Sequence, residues 1–297
     1  MGDISVDLEI PVIAGPTATG KTWLSIELAE RVGAEIVSAD SRQVYRGLDI
    51  GTAKPTVEER RGIPHHFIDE LELEVPFSAG RFAAAARERI RSILERGRLP
   101  VVVGGSTLYL HALIHGLPDL PEADPDLRHA LNQRLAREGG EALYRELQRV
   151  DPGFAATLDP TKTQRLVRGL EVYYATGRPL SSFPTTPPEP GFRYRVVVLC
   201  RDRKELYARI NARVDAMIEA GLVDEVRALA AQGYDERINA LNTIGYREVF
   251  AHLRGEIPFG EMVRLIKRNT RRYAKRQMTW FRRYGFVSYN NGYDLLL

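Results

Sequence analysis

At 297 residues, 44% apolar and 27% charged, the chain can bury one sizeable core and carry a smaller appended unit, which excludes disordered and fibrous classes. Its single cysteine, Cys200, excludes a disulfide framework or a Cys-based zinc site, and no apolar run approaches the about 18 residues of a membrane span. The net charge of +3 hides an asymmetry, because residues 264–283 hold nine Lys or Arg and no acid, a cue for binding a polyanion.

Met1 to Ile10 mix acids with apolar residues and lack the basic start and apolar core of a signal peptide, so a cytoplasmic protein is expected. Glu9 to Ala14 reads as a strand, Gly15 to Thr22 as a loop, Trp23 to Val32 as an amphipathic helix and Ala34 to Ala39 as a second strand. A helix over Arg81 to Arg96 leads into the apolar strand Leu99 to Val103, which ends in Gly104-Gly105-Ser106, and Tyr194 to Cys200 is the last strand. Strands alternating with helices in this way predict an α/β fold built on a parallel sheet.

Between Leu117 and Gly191 the strand signal disappears. Leu127 to Arg137, Gly140 to Val150 and Thr163 to Thr176 have helical period, with Asp124-Pro125 and Asp151-Pro152 as start signals, and Arg178 to Gly191 has linker composition. The expected organisation is a core of 1–117 and 191–297 interrupted by a helical insertion at 118–190. Beyond the last strand, Arg203 to Ala220, Val223 to Gln232 and Glu261 to Arg283 read as helices.

Gly15-Pro16-Thr17-Ala18-Thr19-Gly20-Lys21-Thr22 fits G-x-x-x-x-G-K-[ST] between a strand and a helix. Backbone N–H groups of such a loop converge on phosphate, Lys21 reaches the terminal phosphate, and the Thr22 hydroxyl can ligate Mg²⁺. The acid that a nucleotide hydrolase carries at the end of a later strand is missing: Leu99 to Val103 runs into glycine, and Asp202 follows Cys200 and Arg201 out of register. Asp40, ending the second strand, lies on the sheet edge where ligands bind and can act as a base; a turn or cap role is its alternative. His65 and His66 alternate faces in a strand and read as structural.

Together these residues resemble the tRNA dimethylallyltransferase (tRNA isopentenyltransferase) family over nearly the whole chain. The resemblance is carried by the loop 15–22, Asp40-Ser-Arg-Gln-Val-Tyr45, Asp49-Ile-Gly-Thr-Ala-Lys-Pro55, Gly62-Ile-Pro-His-His66 and Gly104-Gly-Ser-Thr-Leu-Tyr109. Gln164-Arg-Leu-Val-Arg168, Gly245-Tyr-Arg247 and Lys275-Arg-Gln-Met-Thr-Trp-Phe-Arg282 follow in order. It implies a P-loop NTPase-like core and transfer of a dimethylallyl group from dimethylallyl diphosphate to the exocyclic amine of the adenosine 3′ of the anticodon. By this resemblance the loop holds the donor's diphosphate, Asp40 is the general base, and Lys21, Ser106 and Arg213 complete the catalytic set. Ser106 stands where many members carry Thr, keeping the hydroxyl.

The implied tRNA contacts are Asp40, Ser41, Arg42, Gln43, Ser106, Arg128, the stretch Gln164, Arg165, Leu166, Val167 and Arg168, then Gly245, Tyr246 and Arg247, and Lys275, Arg276, Gln277, Trp280 and Arg282. The zinc finger of some eukaryotic members is absent, which implies a bacterial type. Independently of the resemblance, Arg264, Lys267/Arg268, Arg271/Arg272 and Lys275 recur as one helical stripe that can track a phosphate backbone. Tyr273, Trp280, Phe281 and Tyr284 between them can stack on a base or pack the helix. The expected partners are a tRNA anticodon stem-loop and the prenyl diphosphate, with Mg²⁺, no membrane and a monomeric enzyme. The alternatives are a small-molecule or nucleoside kinase, a non-catalytic RNA-binding P-loop protein, and a prenyltransferase acting on free AMP.

Overall fold

Runs of aliphatic residues bounded by glycine form the central strands, and 35–39 and 100–104 are buried throughout because helices cover the sheet from both sides. The computed structural model describes residues 8–122, 124–185 and 192–288. Residues 1–7 of the N-terminal stretch and 186–191 of the expected linker lie outside them. The chain divides into two units, Met1–His115 with Glu189–Leu297, and Gly116–Pro188.

The first unit is built on β1 (Leu8–Ala14), β2 (Glu35–Ala39), β3 (His65–His66), β4 (Pro100–Gly104), β5 (Phe192–Cys200) and β6 (Val287–Ser288). They form one parallel sheet in the order β3-β2-β4-β1-β5-β6. The two-residue strands at the ends were legible only as His65-His66. Among helices of this unit, α1 (Lys21–Val32) sets Leu24, Leu28 and Ala29 against Ile36, Val101 and Val103 of the sheet. α2 (Ala79–Glu95) starts at Ser78, whose hydroxyl accepts the Arg81 N–H at 3.2 Å. α3 (Thr107–His115) follows β4 directly.

In register, Ala14 and Ala39 both stand beside Gly104. The residues that leave those three strands, Gly15, Asp40 and Gly105, therefore start from one row at the C-terminal edge of the sheet. Gly104 has to be glycine there, since a Cβ would sit 2.2 Å from the Ala39 carbonyl oxygen.

The second unit is helical. α4 (Pro125–Val150) is capped by Asp124 and broken at Gly139, where φ is 80°, so it comprises the two helices that the periodicity predicts. α5 (Pro152–Ala155) is capped by Asp151, and α6 (Thr163–Thr176) has the predicted bounds and stops at Gly177 with φ 70°. Leu131, Leu143, Leu147, Leu166, Val167 and Leu170 form its core. Part of the expected linker is packed rather than loose: the Ser181 N–H and hydroxyl both donate to the buried Asp151 carboxylate, at 2.9 and 2.6 Å.

The C-terminal helices of the first unit are α7 (Arg203–Glu219), α8 (Leu222–Ala231), α9 (Tyr246–Leu253) and α10 (Phe259–Phe281). α8 and α9 brace the loop that follows Asp40. The Glu225 carboxylate accepts the N–H groups of Asp49, Ile50 and Gly51 at 3.0, 2.7 and 3.2 Å, and the Tyr246 hydroxyl at 2.6 Å. Lys54, whose side chain is 4% exposed, donates to the Tyr45 carbonyl and pairs with Asp49 and Asp69. The motif Asp49 to Pro55 is thus a staple. No helix among the described residues is long and apolar enough to cross a membrane.

Replacing Glu225 by alanine leaves three N–H groups without their acceptor. Glu225→Ala should cost about 2–3 kcal/mol of stability, and Tyr246→Phe about 1 kcal/mol, read as shifts of the urea unfolding midpoint; an unshifted Glu225→Ala midpoint would contradict the staple.

Candidate functional site

The loop 15–20 turns between β1 and α1 with Ala18 at φ 65° and Gly20 at φ 102°. Its carbonyls are held away from the centre. The Thr19 hydroxyl and Lys21 Nζ donate to Pro16 O at 2.9 and 2.6 Å, Arg209 Nε to Ala18 O at 2.9 Å, and Arg201 Nε to Thr19 O at 2.9 Å. Arg209 lies on α7 and Arg201 just before it, and neither was picked out from the sequence. Their only signal is spacing on the helix that bears Arg213, while the contact spans 182 to 191 residues. The first-turn N–H groups of α1 have no acceptor within the helix, and with the helix dipole they make an anion site.

Lys21 and Arg213 converge on this site. Burial, then the nearby Arg213 charge, push the Lys21 ammonium down to about 7, against the pull of Asp40. Arg213 is likewise depressed, by burial first and Arg209 second, with Glu59 opposing. Two like charges held together in low dielectric favour an anion between them. A diphosphate suits that demand.

Next along the sheet edge, Asp40 Oδ1 accepts the N–H groups of Arg42 and Gln43 at 2.8 and 3.3 Å. The turn-cap role read as its alternative is real but occupies one oxygen, leaving Oδ2 for a proton. Ser106 Oγ accepts the Ser41 N–H at 3.0 Å, and its own N–H donates to Ala39 O at 3.3 Å. The Ser106 hydroxyl keeps its proton to donate. Ser106, with Ser41 and Arg42 next to Asp40, opens on a cavity of about 380 Å³ whose walls also include Phe77, Tyr109 and Tyr273. That volume lies within the roughly 300–1,000 Å³ of small-molecule sites. Tyr109 is fixed by stacking on Phe82 at 4.5 Å and by donating to Phe77 O at 2.9 Å. Tyr273 is pushed up to about 12 by burial and then by Asp40, so its phenol stays neutral.

Thr22 is exposed in the first turn of α1. Among the described residues no group of three or more His, Cys, Asp or Glu could hold a metal by itself. Magnesium bound here would take Thr22 and phosphate oxygens, the usual arrangement for that ion. Asp202 is committed to capping α7, accepting from Lys204 and Glu205 N–H, which agrees with its off-register reading. His65 bonds Ile63 O and His66 bonds Glu35, each within the fold.

The residues expected to contact nucleic acid differ in exposure and in their partners within the fold. Gln277 is 3% exposed: its Oε1 accepts the Thr17 N–H at 3.0 Å and its Nε2 donates to Gly105 O at 2.8 Å. Tyr246, Leu166 and Val167 are buried, and Gly245 is buried with its N–H on Glu248. Helix periodicity places such residues inward, whereas motif reading took whole stretches. Gln43 Nε2 is turned onto the carbonyls of Thr52 and Ala53, and Arg42 onto Asn239 O. In the helical unit Arg128 and Arg168 share the buried Glu171 at 2.6 and 2.8 Å, while Gln164 and Arg165 are exposed.

The basic stripe is also divided. Arg264 pairs with Glu261, Lys267 with Asp215, and Arg271 bonds Asn211, so much of its first half is engaged within the protein. Arg272, Lys275, Arg276 and Arg282 are exposed, as is Arg247 on α9. Trp280 is half-buried, edge-on to His111 and Phe281, with Arg283 stacked at 4.6 Å.

The family model described as IPP transferase matches residues 43–284. The chain belongs to the IPP transferase family. It is 61% identical over 276 residues to the tRNA dimethylallyltransferase of Salinibacter ruber, covering 93% of this chain and 85% of that protein. Against tRNA dimethylallyltransferase 1 of Trichlorobacter lovleyi it is 52% identical, covering 91% and 90%. Among solved structures, the tRNA isopentenylpyrophosphate transferase of Bacillus halodurans is 42% identical with a TM-score of 0.67, covering 94% of this chain and 89% of that one. A eukaryotic dimethylallyltransferase acting on tRNA is 30% identical with a TM-score of 0.75, covering 92% and 70%. The family model starts at residue 43, after the loop 15–22 and Asp40, and the sheet register sets both beside the strand end at Gly104 within the matched range.

An anion beside Lys21 raises its affinity for a proton, so at pH 8 pyrophosphate binding should draw up to about one proton onto it. Affinity should weaken as pH rises through 7. Calorimetry in two buffers of different ionisation heat, with Lys21→Arg subtracting the ligand's own protons, reads this. Equal proton uptake by the two proteins would remove Lys21 from the anion site.

Proposed function

We propose that this chain transfers a dimethylallyl group from dimethylallyl diphosphate to the exocyclic amine of the adenosine 3′ of the anticodon in tRNA. The carrying observation is the register row that sets an anion loop with two half-buried cations beside a carboxylate and beside a hydroxyl that lines an aromatic-walled cavity. Relatives at up to 61% identity bear the name tRNA dimethylallyltransferase, and the eukaryotic neighbour is described as acting on tRNA.

The chemistry fits these residues. The adenine amine is a weak nucleophile, its lone pair being shared with the ring, so transfer needs a stabilised leaving group and a proton acceptor. The bond from the allylic carbon to the diphosphate oxygen breaks while the bond from that carbon to the amine nitrogen forms. Lys21, Arg213 and the loop N–H groups stabilise the charge on the departing diphosphate. Asp40 Oδ2 takes the amine proton, and the Ser106 hydroxyl can orient the amine or the diphosphate. Mg²⁺, held by Thr22 and the diphosphate, would add charge stabilisation to the leaving group. Phe77, Tyr109 and Tyr273 offer π faces to the base and the prenyl chain. An adenine reaches such a cavity only by leaving its stack, at a cost of a few kcal/mol. The site residues come from one unit of one chain, which supports a monomer as the working species.

Incubation with an unmodified anticodon stem-loop and labelled dimethylallyl diphosphate should place label in the nucleoside, and chelation of Mg²⁺ should stop it. Lys21→Ala should lower turnover by about 10²-fold or more and Asp40→Asn by about 10² to 10⁴-fold, with stem-loop affinity little changed. Phosphoryl transfer from γ-labelled ATP in place of prenyl transfer would overturn this reading.

A further inference from the structure

α10 has two faces with different tasks. Arg272, Lys275 and Arg276 are exposed on it, while Tyr273 and Gln277, one turn apart, reach the reaction cavity and the anion loop. The Gln277 carboxamide spans two segments that are distant in sequence. It accepts from Thr17 N–H in the loop and donates to Gly105 O, the residue preceding Ser106. A carboxamide accepts at one atom and donates at the next at any ordinary pH. Gly105 is its counterpart, because a Cβ there would stand 2.6 Å from Gln277 Nε2.

We propose that Gln277 is a positioning residue that couples RNA bound on the outer face of α10 to diphosphate held by loop 15–22, so that each ligand raises the other's affinity. The inference rests on the proposed function for its RNA. Hydrogen bonds of 2.8 and 3.0 Å at a buried amide are lost if the helix moves by about an ångström. Water does not replace them at 3% exposure. RNA phosphates on Arg272, Lys275 and Arg276 hold α10 in place and so keep the amide seated, and the seated amide holds the loop ready for diphosphate. Both ligands thus favour the same state, and the coupling is reciprocal. Arg201 and Arg209 also hold the loop, so removal of Gln277 leaves it formed and takes away its hydrogen-bonded link to α10, leaving the apolar packing of Ala18 with Ala274.

The test measures pyrophosphate affinity with and without a saturating stem-loop whose target adenosine is abasic, so that no base reaches the cavity. For the wild type the two affinities should differ by about tenfold, within the usual span of coupling between sites. Gln277→Met, similar in length but without both hydrogen bonds, should bring the ratio close to one while each ligand still binds alone. Gln277→Glu keeps the acceptor for Thr17 and loses the donor to Gly105 at pH 8. Its ratio should be small there and recover at acid pH as the carboxyl gains a proton, and this variant carries the test whether or not Gln277→Met folds. A wild-type ratio of one, an undiminished ratio in Gln277→Met, or a Gln277→Glu ratio at pH 8 equal to the wild type overturns the coupling. Failure of prenyl transfer to the intact stem-loop would instead count against the proposed function, and is read separately in the same preparations.

Discussion

Lys21 and Arg213 repel one another inside the protein, and the cost of holding them together is what the surrounding structure is organised to bear. Burial alone would drive Lys21 to its neutral form. Asp40, one strand away, pulls in the other direction, and Lys21 ends at about 7. That balance needs the two strand ends side by side, which is why glycine at 104 and a parallel sheet with both faces covered matter to the chemistry. It also needs a loop whose carbonyls point elsewhere, and the arginines of the α7 region supply partners for them.

The cations around the anion loop and α10 therefore have three separate tasks. Arg201 and Arg209 shape the loop by donating to its carbonyls, Arg201 also pairing with Glu205. Lys21 and Arg213 face the anion. The exposed residues of α10 and Arg282 present positive charge to solvent. A count of basic residues along the sequence merges these groups, whereas partners such as those of Arg264, Lys267 and Arg271 separate structural charge from available charge.

What could be read from the sequence follows from contrast. α6 was bounded correctly because its apolar face, its polar face and Gly177 are all distinct. α3 was missed because Thr107 to His115 is apolar nearly all round and sits inside a motif. α9, eight residues long, begins at Tyr246 within another motif, so the motif hid the helix. The anion loop and Asp40 were legible because local spacing specifies them. Gln277, Arg201 and Arg209 owe their roles to partners more than 170 residues away, and no local pattern carries that information.

The same distances bear on how the protein is made. The Thr17–Gln277 bond closes 260 residues of chain, and the Glu225 staple on the Asp40 loop closes about 175. Contacts of such separation form late, after loop-closure entropy has been met and after the C-terminal helices have left the ribosome. The nascent sheet edge can assemble its strands early, but the anion loop and the segment after Asp40 lack their braces until α7 to α10 exist. Synthesis thereby keeps the reactive centre unfinished until the helix that presents the exposed arginines is itself complete.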